Sequence, residues 1–291
     1  MTFEQLRIFL VVAETLNMRR AGELLHLTQP AVSASIAALE SRHATRLFER
    51  VGRGLELSAA GRSFLPEAQA VLSRAEAAER VLSDLSGLLR GEVRLAASQT
   101  VADYWLPSRI ARFVEAHAGI GVSLVAGNSA QSAAAVLSGE ADLAFVEGKV
   151  DADLLRVQRV GGDRLGLYVA PGHPLAKRRA GVSALRKAAW VFRERGSGTR
   201  DHLEAGLARH GLLVDTLEVR LVLPSNGAVL GAIEAGGLVG GVSDLAAESR
   251  AALGRLVRLD WELPARDFFV LTHRGRGSSR AAGAFLEFAA G

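Results

Sequence analysis

The stretch HLTQPAVSASIAALE, residues 26–40, decides the reading of the N-terminal part of the chain. It begins as a polar turn in which Thr28 is placed to cap a helix. Pro30 falls in the first helical turn, where its missing N–H costs little. Val32, Ile36 and Leu39 recur at helical spacing and make a buried stripe, while Pro30, Ser33, Ala34 and Ala37 occupy the other side. A surface helix normally covers its outer face with long charged side chains. A nearly bare outer face suits close approach to a partner, although a helix sandwiched between packed neighbours would also favour Ala and Ser.

The flanking sequence favours the first reading. Phe3, Leu6, Phe9, Leu10 and Ala13 predict a first helix with one buried stripe, and Asn17 can cap a second, MRRAGELL, that ends near His26. Beyond the third helix, LFERVGRGLELS places two glycines between short apolar strands, as in a hairpin turn. Three short helices and a hairpin make a winged helix-turn-helix. Its third helix would enter a DNA major groove about 12 Å wide, with Thr28, Gln29, Pro30 and Ser33 at base edges or phosphates. Arg19 and Arg20 would cross the backbone. Arg50 and Arg53 would lie along the minor groove or phosphates, unless they are simply a solvated loop tip.

From Ser58 a long helix is predicted, ended by Gly91. Ala68, Val71, Ala75, Ala78, Leu82, Leu85 and Leu89 form an a/d seam that predicts pairing of two chains, the alternative being a helix lying on its own domain. After Glu92, strands such as EVRLAAS, VSLVAG, LGLYVAP and GLVGGVS alternate with helices. The alternation implies two lobes built on parallel sheets, with a ligand cleft beyond the strand ends. The expected division is 1–60 for the DNA-binding domain, 61–90 for the linker and dimerisation helix, and 91–291 for the effector domain. One lobe would comprise about 91–163 and 267–291, the other about 164–266.

Two hydroxyl-rich turns mark the cleft. Gly196, Ser197, Gly198 and Thr199 open a helix, whose free N–H groups favour an anion, and Ser98, Gln99 and Thr100 follow the first strand of the other lobe. Each also reads as an ordinary strand-to-helix turn. Hydroxyl and N–H donors without a catalytic base suggest binding rather than turnover.

Composition narrows the classes. Of 291 residues, 49% are hydrophobic and 23% charged, which requires a real core, and the net charge of +4 is only weakly suggestive of a polyanionic partner. The chain contains no Cys, which excludes disulfides and Cys-based zinc sites. No P-loop, G-x-S-x-G or H-E-x-x-H is present, so no enzyme, cofactor or metal is expected. With neither a secretory start nor a long apolar run, the chain is expected in the cytoplasm, without membrane contact.

The run AGELLHLTQPAVSASIAALE…LFERVGRGLELSAAGRSFLP resembles the DNA-binding region of LysR-type transcriptional regulators, and the similarity extends over the whole chain. The resemblance implies an α/β chain with an N-terminal all-α winged helix-turn-helix, a long linker helix pairing two subunits, and a two-lobed effector domain like a periplasmic binding protein. It further implies double-stranded promoter DNA as partner, a homodimer or homotetramer, and RNA polymerase as a further contact. GNSAQ, GEADLAFVEG, PGHPLA and GSGTR resemble regulators of carbon-fixation and sulfur-assimilation operons. That subgroup implies a small anionic effector, sulfite or sulfate in one branch and phosphorylated sugars in the other. It carries over to Ser98, Thr100, Asn128, Ser129, Glu147 and the turn from Gly196 to Thr199. Glu147 also reads as an inert strand-end carboxylate; facing the site, it would repel a fully ionised anion. Gly22 departs from the family's usual Ala, at about 1 kcal/mol of helix propensity. The alternative reading is a solute-binding receptor, which leaves the first 90 residues without a purpose.

Overall fold

A computed structural model describes residues 1–52, 54–84, 91–148, 150, 152–177 and 180–290. They form two compact units that divide near Leu88.

The first unit starts with α1 (Phe3–Thr15), α2 (Met18–Leu25) and α3 (Gln29–His43). The caps stand where the polar residues predict them. Asn17 accepts from the N–H groups of Arg19 and Arg20, and Thr28 accepts from that of Ala31. Val32, Ile36 and Leu39 are the buried residues of α3, packed with Leu6, Phe9, Val12, Phe48 and Ala68. Phe3 departs from its expected stripe and is 59% exposed. Helical side chains lean toward the N-terminus, so a residue in the first turn leans off the end of the helix rather than onto the core. Strands β1 (Phe48–Val51) and β2 (Gly54–Leu57) pair as the expected hairpin, with Phe48 opposite Leu57.

The long helix is α4 (Ala59–Asp84). Ala68 of the predicted seam is buried in the core of its own unit, whereas Val71, Ala78 and Leu82 face outward. The near part of the helix thus lies on its own domain and the far part presents an uncovered apolar row. Leu85 and Leu89 lie outside the described residues. Gly91 opens a strand, with a φ of 134° that Gly accommodates without a Cβ penalty; the expected helix end lies outside the described residues.

In the second unit, β3 (Gly91–Ser98), a wide turn (Val101–Trp105), α5 (Pro107–Ala116), β4 (Ile120–Gly127), α6 (Ser129–Ser138) and β5 (Leu143–Glu147) build the first lobe. Strand β6 (Leu155–Val169) crosses to the second lobe. That lobe holds α7 (Val182–Arg186), β7 (Ala189–Arg193), α8 (Gly198–Ala208), β8 (Glu218–Leu223), α9 (Asn226–Glu234), β9 (Leu238–Ser243) and α10 (Asp244–Ala252). The short β10 (Val257–Arg258) pairs with β6, β11 (Ala265–His273) returns to the first lobe, and α11 (Arg280–Ala290) closes it. The strand order is β4-β3-β5-β11-β6-β9-β7-β8.

The two lobes are not purely parallel, which corrects the expectation from alternation. Strand β3 is parallel to β4 and β5, and β7 is parallel to β8 and β9, but β6 and β11 run antiparallel to their neighbours and to each other. One strand must carry the chain out of the first lobe and another must bring it back, so the crossing pair is antiparallel. Gly162 sits at this crossing, where a Cβ would lie 2.5 Å from the Arg266 carbonyl oxygen. Each lobe keeps its own core, one around Phe113, Phe145, Phe268 and Phe285, the other around Leu167, Trp190, Phe192 and Leu203.

Candidate functional site

In the first unit, the start of α3 is open. Thr28, Gln29, Pro30, Ala34 and Ala37 are exposed and Ser33 is half-buried. A groove of about 540 Å³ brings Arg19, Gln29 and Arg50 together beside Asn17, Gly52 and Gly54. Arg20 is exposed but does not line it, and Arg53 lies outside the described residues. Arg19 pairs with Glu23 at 3.1 Å on an open surface, an interaction weak enough to yield to a phosphate. Gly22 has a structural reason: a Cβ there would lie 2.7 Å from the Leu27 carbonyl oxygen, so the glycine lets the turn between α2 and α3 close.

The wing is anchored by a residue that its sequence neighbourhood does not advertise. The Glu40 carboxylate accepts the backbone N–H groups of Leu47 at 2.7 Å and Phe48 at 3.1 Å, tying the start of β1 to the last turns of α3. Hydrogen bonds to a charged acceptor contribute about 1.5–3 kcal/mol each. Glu40→Ala is therefore expected to destabilise the first unit by about 1–3 kcal/mol and to weaken DNA binding through a displaced wing. Urea denaturation and duplex titration of the same variant check this, and unchanged stability would remove the anchor role.

In the second unit the cleft is filled by buried polar groups. At its centre Glu147, on the last residue of β5, is 3% exposed. Ser129 Oγ lies 3.2 Å from Glu147 Oε2 and Arg266 Nη1 lies 3.5 Å from Oε1, with the hydroxyls of Ser98 and Thr100 nearby; Ser98 Oγ donates to the Phe145 carbonyl at 3.5 Å. Burial by itself pushes the Glu147 carboxyl up, but Arg266 and the hydroxyls outweigh it and hold the group below its ordinary range. Arg266 also grips Asp163 at 2.7 and 2.5 Å and donates to Thr199 Oγ1 at 3.0 Å, while Ser243 Oγ donates to Asp163 at 2.6 Å.

Ser98 and Thr100 make no hydrogen bond to the turn from Gly196 to Thr199; Ser98 donates to the Phe145 carbonyl instead. Gly198 packs on Glu147 itself, where a Cβ would lie 2.4 Å from its carbonyl oxygen. Thr100 accepts from Asn226 Nδ2 at 3.0 Å, and Asn226 Oδ1 in turn accepts from Arg193 at 2.7 Å. Gln99 spans the lobes, donating to the Pro224 carbonyl at 2.9 Å and accepting from the Asn226 N–H at 3.0 Å. Asn128 exchanges hydrogen bonds with Gln131 as a helix cap, and Ser197 caps α8. A cavity of about 380 Å³ remains beside Glu147, lined by Ser129, Gly196, Gly198, Asp201 and His202 among others.

Arg266, Asp163 and Asn226 are missing from the sequence reading. Two of them carry a signal. In β11, Arg266 alternates in phase with buried Phe268 and Val270, and in β6, Asp163 alternates in phase with buried Leu165, Leu167 and Val169. A charge at an apolar phase of a strand marks a buried partner. Asn226 has no such mark.

A short capped three-helix unit with a hairpin, joined to a two-lobed domain, is the pattern of a known family. The family described as "Bacterial regulatory helix-turn-helix protein, lysR family" matches residues 3–62, and the "LysR substrate binding domain" matches residues 86–291. The chain belongs to the LysR family of transcriptional regulators. The RuBisCO operon transcriptional regulator of Allochromatium vinosum is 34% identical to this regulator over 290 residues, covering 99% of this chain and 95% of its own. The LysR family regulator CbnR matches the fold with a TM-score of 0.75 at 22% identity, covering 99% of this chain and 98% of its own. The regulatory domain of CcmR from Synechocystis PCC6803, solved in complex with 2-PG, matches with a TM-score of 0.62 at 30% identity, covering 69% of this chain and 96% of its own. The match over residues 3–62 favours a regulator over a solute-binding receptor. Among the described residues, no helix of this LysR-family protein is long and apolar enough to cross a membrane.

Proposed function

We propose that this regulator binds double-stranded promoter DNA through residues 1–60, pairs with a second copy through the linker at 61–90, and responds in the cytoplasm to a small anionic effector held by residues 91–291. Assembly into a homotetramer and contact with RNA polymerase belong to the same proposal. The chain binds its effector without turning it over. The observation that carries the DNA reading is the groove in which Arg19, Gln29 and Arg50 converge at the bare start of α3. The buried hydroxyl cluster around Glu147 and Arg266 supports a small polar effector, as does the 2-PG complex of the CcmR regulatory domain.

Roles within the groove separate by chemistry. Gln29 can bond an adenine edge at two points, whereas Arg50 on the wing supplies a charge to phosphate. Titrations of matched and single-mismatch duplexes, selected from a random library, test both. Gln29→Ala is expected to lose about 1–3 kcal/mol of discrimination at one or two base pairs, and Arg50→Ala to weaken every duplex and flatten the salt slope by about one unit. Equal losses on every sequence for Gln29→Ala would contradict base reading.

A further inference from the structure

The cleft carries an anion of its own. Three side chains that are nearly wholly buried, Glu147, Asp163 and Arg266, bring two carboxylates and one guanidinium together, and Asp163 takes the closer grip on that guanidinium. The Ser129 hydroxyl, at the start of α6, donates to Glu147, and the hydroxyls of Ser98 and Thr100 lie near it on the β3 side. Among the described residues, the charged lining of the neighbouring cavity is Glu147 and Asp201, with His202 next on α8, bonded through Nε2 to the Pro264 carbonyl. An oxyanion entering here meets an ionised carboxylate, which accepts hydrogen bonds and donates none.

We propose that Glu147 makes this cleft selective for oxyanions that carry an O–H, the chemistry of hydrogen phosphate or a singly protonated phosphate monoester, and exclude those without one, such as sulfate. The selectivity rests on the reading of the cleft as an anion site. The ligand's O–H donates to Glu147, and its remaining oxygens take Ser129 and the open N–H groups at the start of α8. Ser129 is free to turn from Glu147 to the ligand, because one hydroxyl hydrogen serves either acceptor. An anion without a hydrogen would place two acceptors face to face in a buried site. A site built around a hydrogen bond rejects the analogue lacking it, because its own buried group is then left without a partner.

Calorimetric titration of the full-length protein with inorganic phosphate, sulfate and monofluorophosphate at pH 8 tests this. All three are predominantly dianions of similar size there, and only hydrogen phosphate has an O–H. Wild type is expected to bind phosphate at least tenfold more tightly than the other two. Glu147→Gln, whose amide can donate as well as accept, is expected to bring phosphate and sulfate within about threefold. Monofluorophosphate or sulfate binding wild type as tightly as phosphate overturns the selectivity, whether or not the variant folds. So does a folded Glu147→Gln protein that keeps the full preference. Absence of binding by all three to both proteins overturns the anion reading itself, a result distinct from unselective binding.

Discussion

Replacing Arg266 by Met is expected to lower the unfolding free energy of the effector domain by about 3–5 kcal/mol, the range for removing one partner from a buried charge cluster. The guanidinium holds Asp163 and Glu147, both buried, and donates to Thr199 across the lobes. Met fills much of its volume but leaves two carboxylates without a cation, so they must take up protons or unfold the junction. The pH dependence gives an independent check. Glu147 is held below the ordinary carboxylate range in the folded protein, so the stability it contributes is complete above that range. That contribution is lost as pH falls through the folded value. Denaturant unfolding at pH 7 and at pH 4 should show wild type losing stability on acidification and Arg266→Met losing less. A loss below about 1 kcal/mol at pH 7 would mean that the cluster does not hold this junction.

The second large effect belongs to the linker helix. Val71 and Leu82 of the predicted seam are 39% and 68% exposed in the single chain, whereas Ala68 is buried within its own unit. Asp at both Val71 and Leu82 is therefore expected to leave the first unit folded while abolishing pairing of two chains. Linking two DNA-binding units raises affinity by 10²–10⁴ over either alone, so operator affinity is expected to fall by at least a hundredfold. Analytical ultracentrifugation and duplex titration of the double variant check this together. A dimer that keeps wild-type operator affinity would place the pairing surface elsewhere.

The parts of this protein legible in the sequence are those decided within a few residues. Asn17 and Thr28 cap their helices through N–H groups two or three positions away, and Val32, Ile36 and Leu39 share a face because a helix turns every 3.6 residues. The glycine hairpin is equally local. The LysR resemblance and the two-lobed plan follow from these patterns. The hydroxyls at Ser98 and Thr100 could be placed at the cleft because they follow the end of a strand, whereas Ser129 came only from what the family resemblance implies.

What occupies those hydroxyls was decided only by tertiary structure. Asp163 and Arg266 are 103 positions apart and meet because β6 and β11 run antiparallel in a register that sets them opposite each other. A two-residue period shows that each faces inward but cannot say which charge it faces. Thr100 and Asn226, separated by 126 positions, meet only once the crossing strands have set the two lobes together. Glu147 likewise could be read as a bystander or a ligand contact from its strand alone. Its role depends on Arg266 arriving from β11 and the Ser129 hydroxyl from α6, and burial of that carboxylate is tolerable only when both arrive. Local periodicity determined the elements and their exposed faces, and the chain's long-range strand pairing determined the charge that the cleft presents to its ligand.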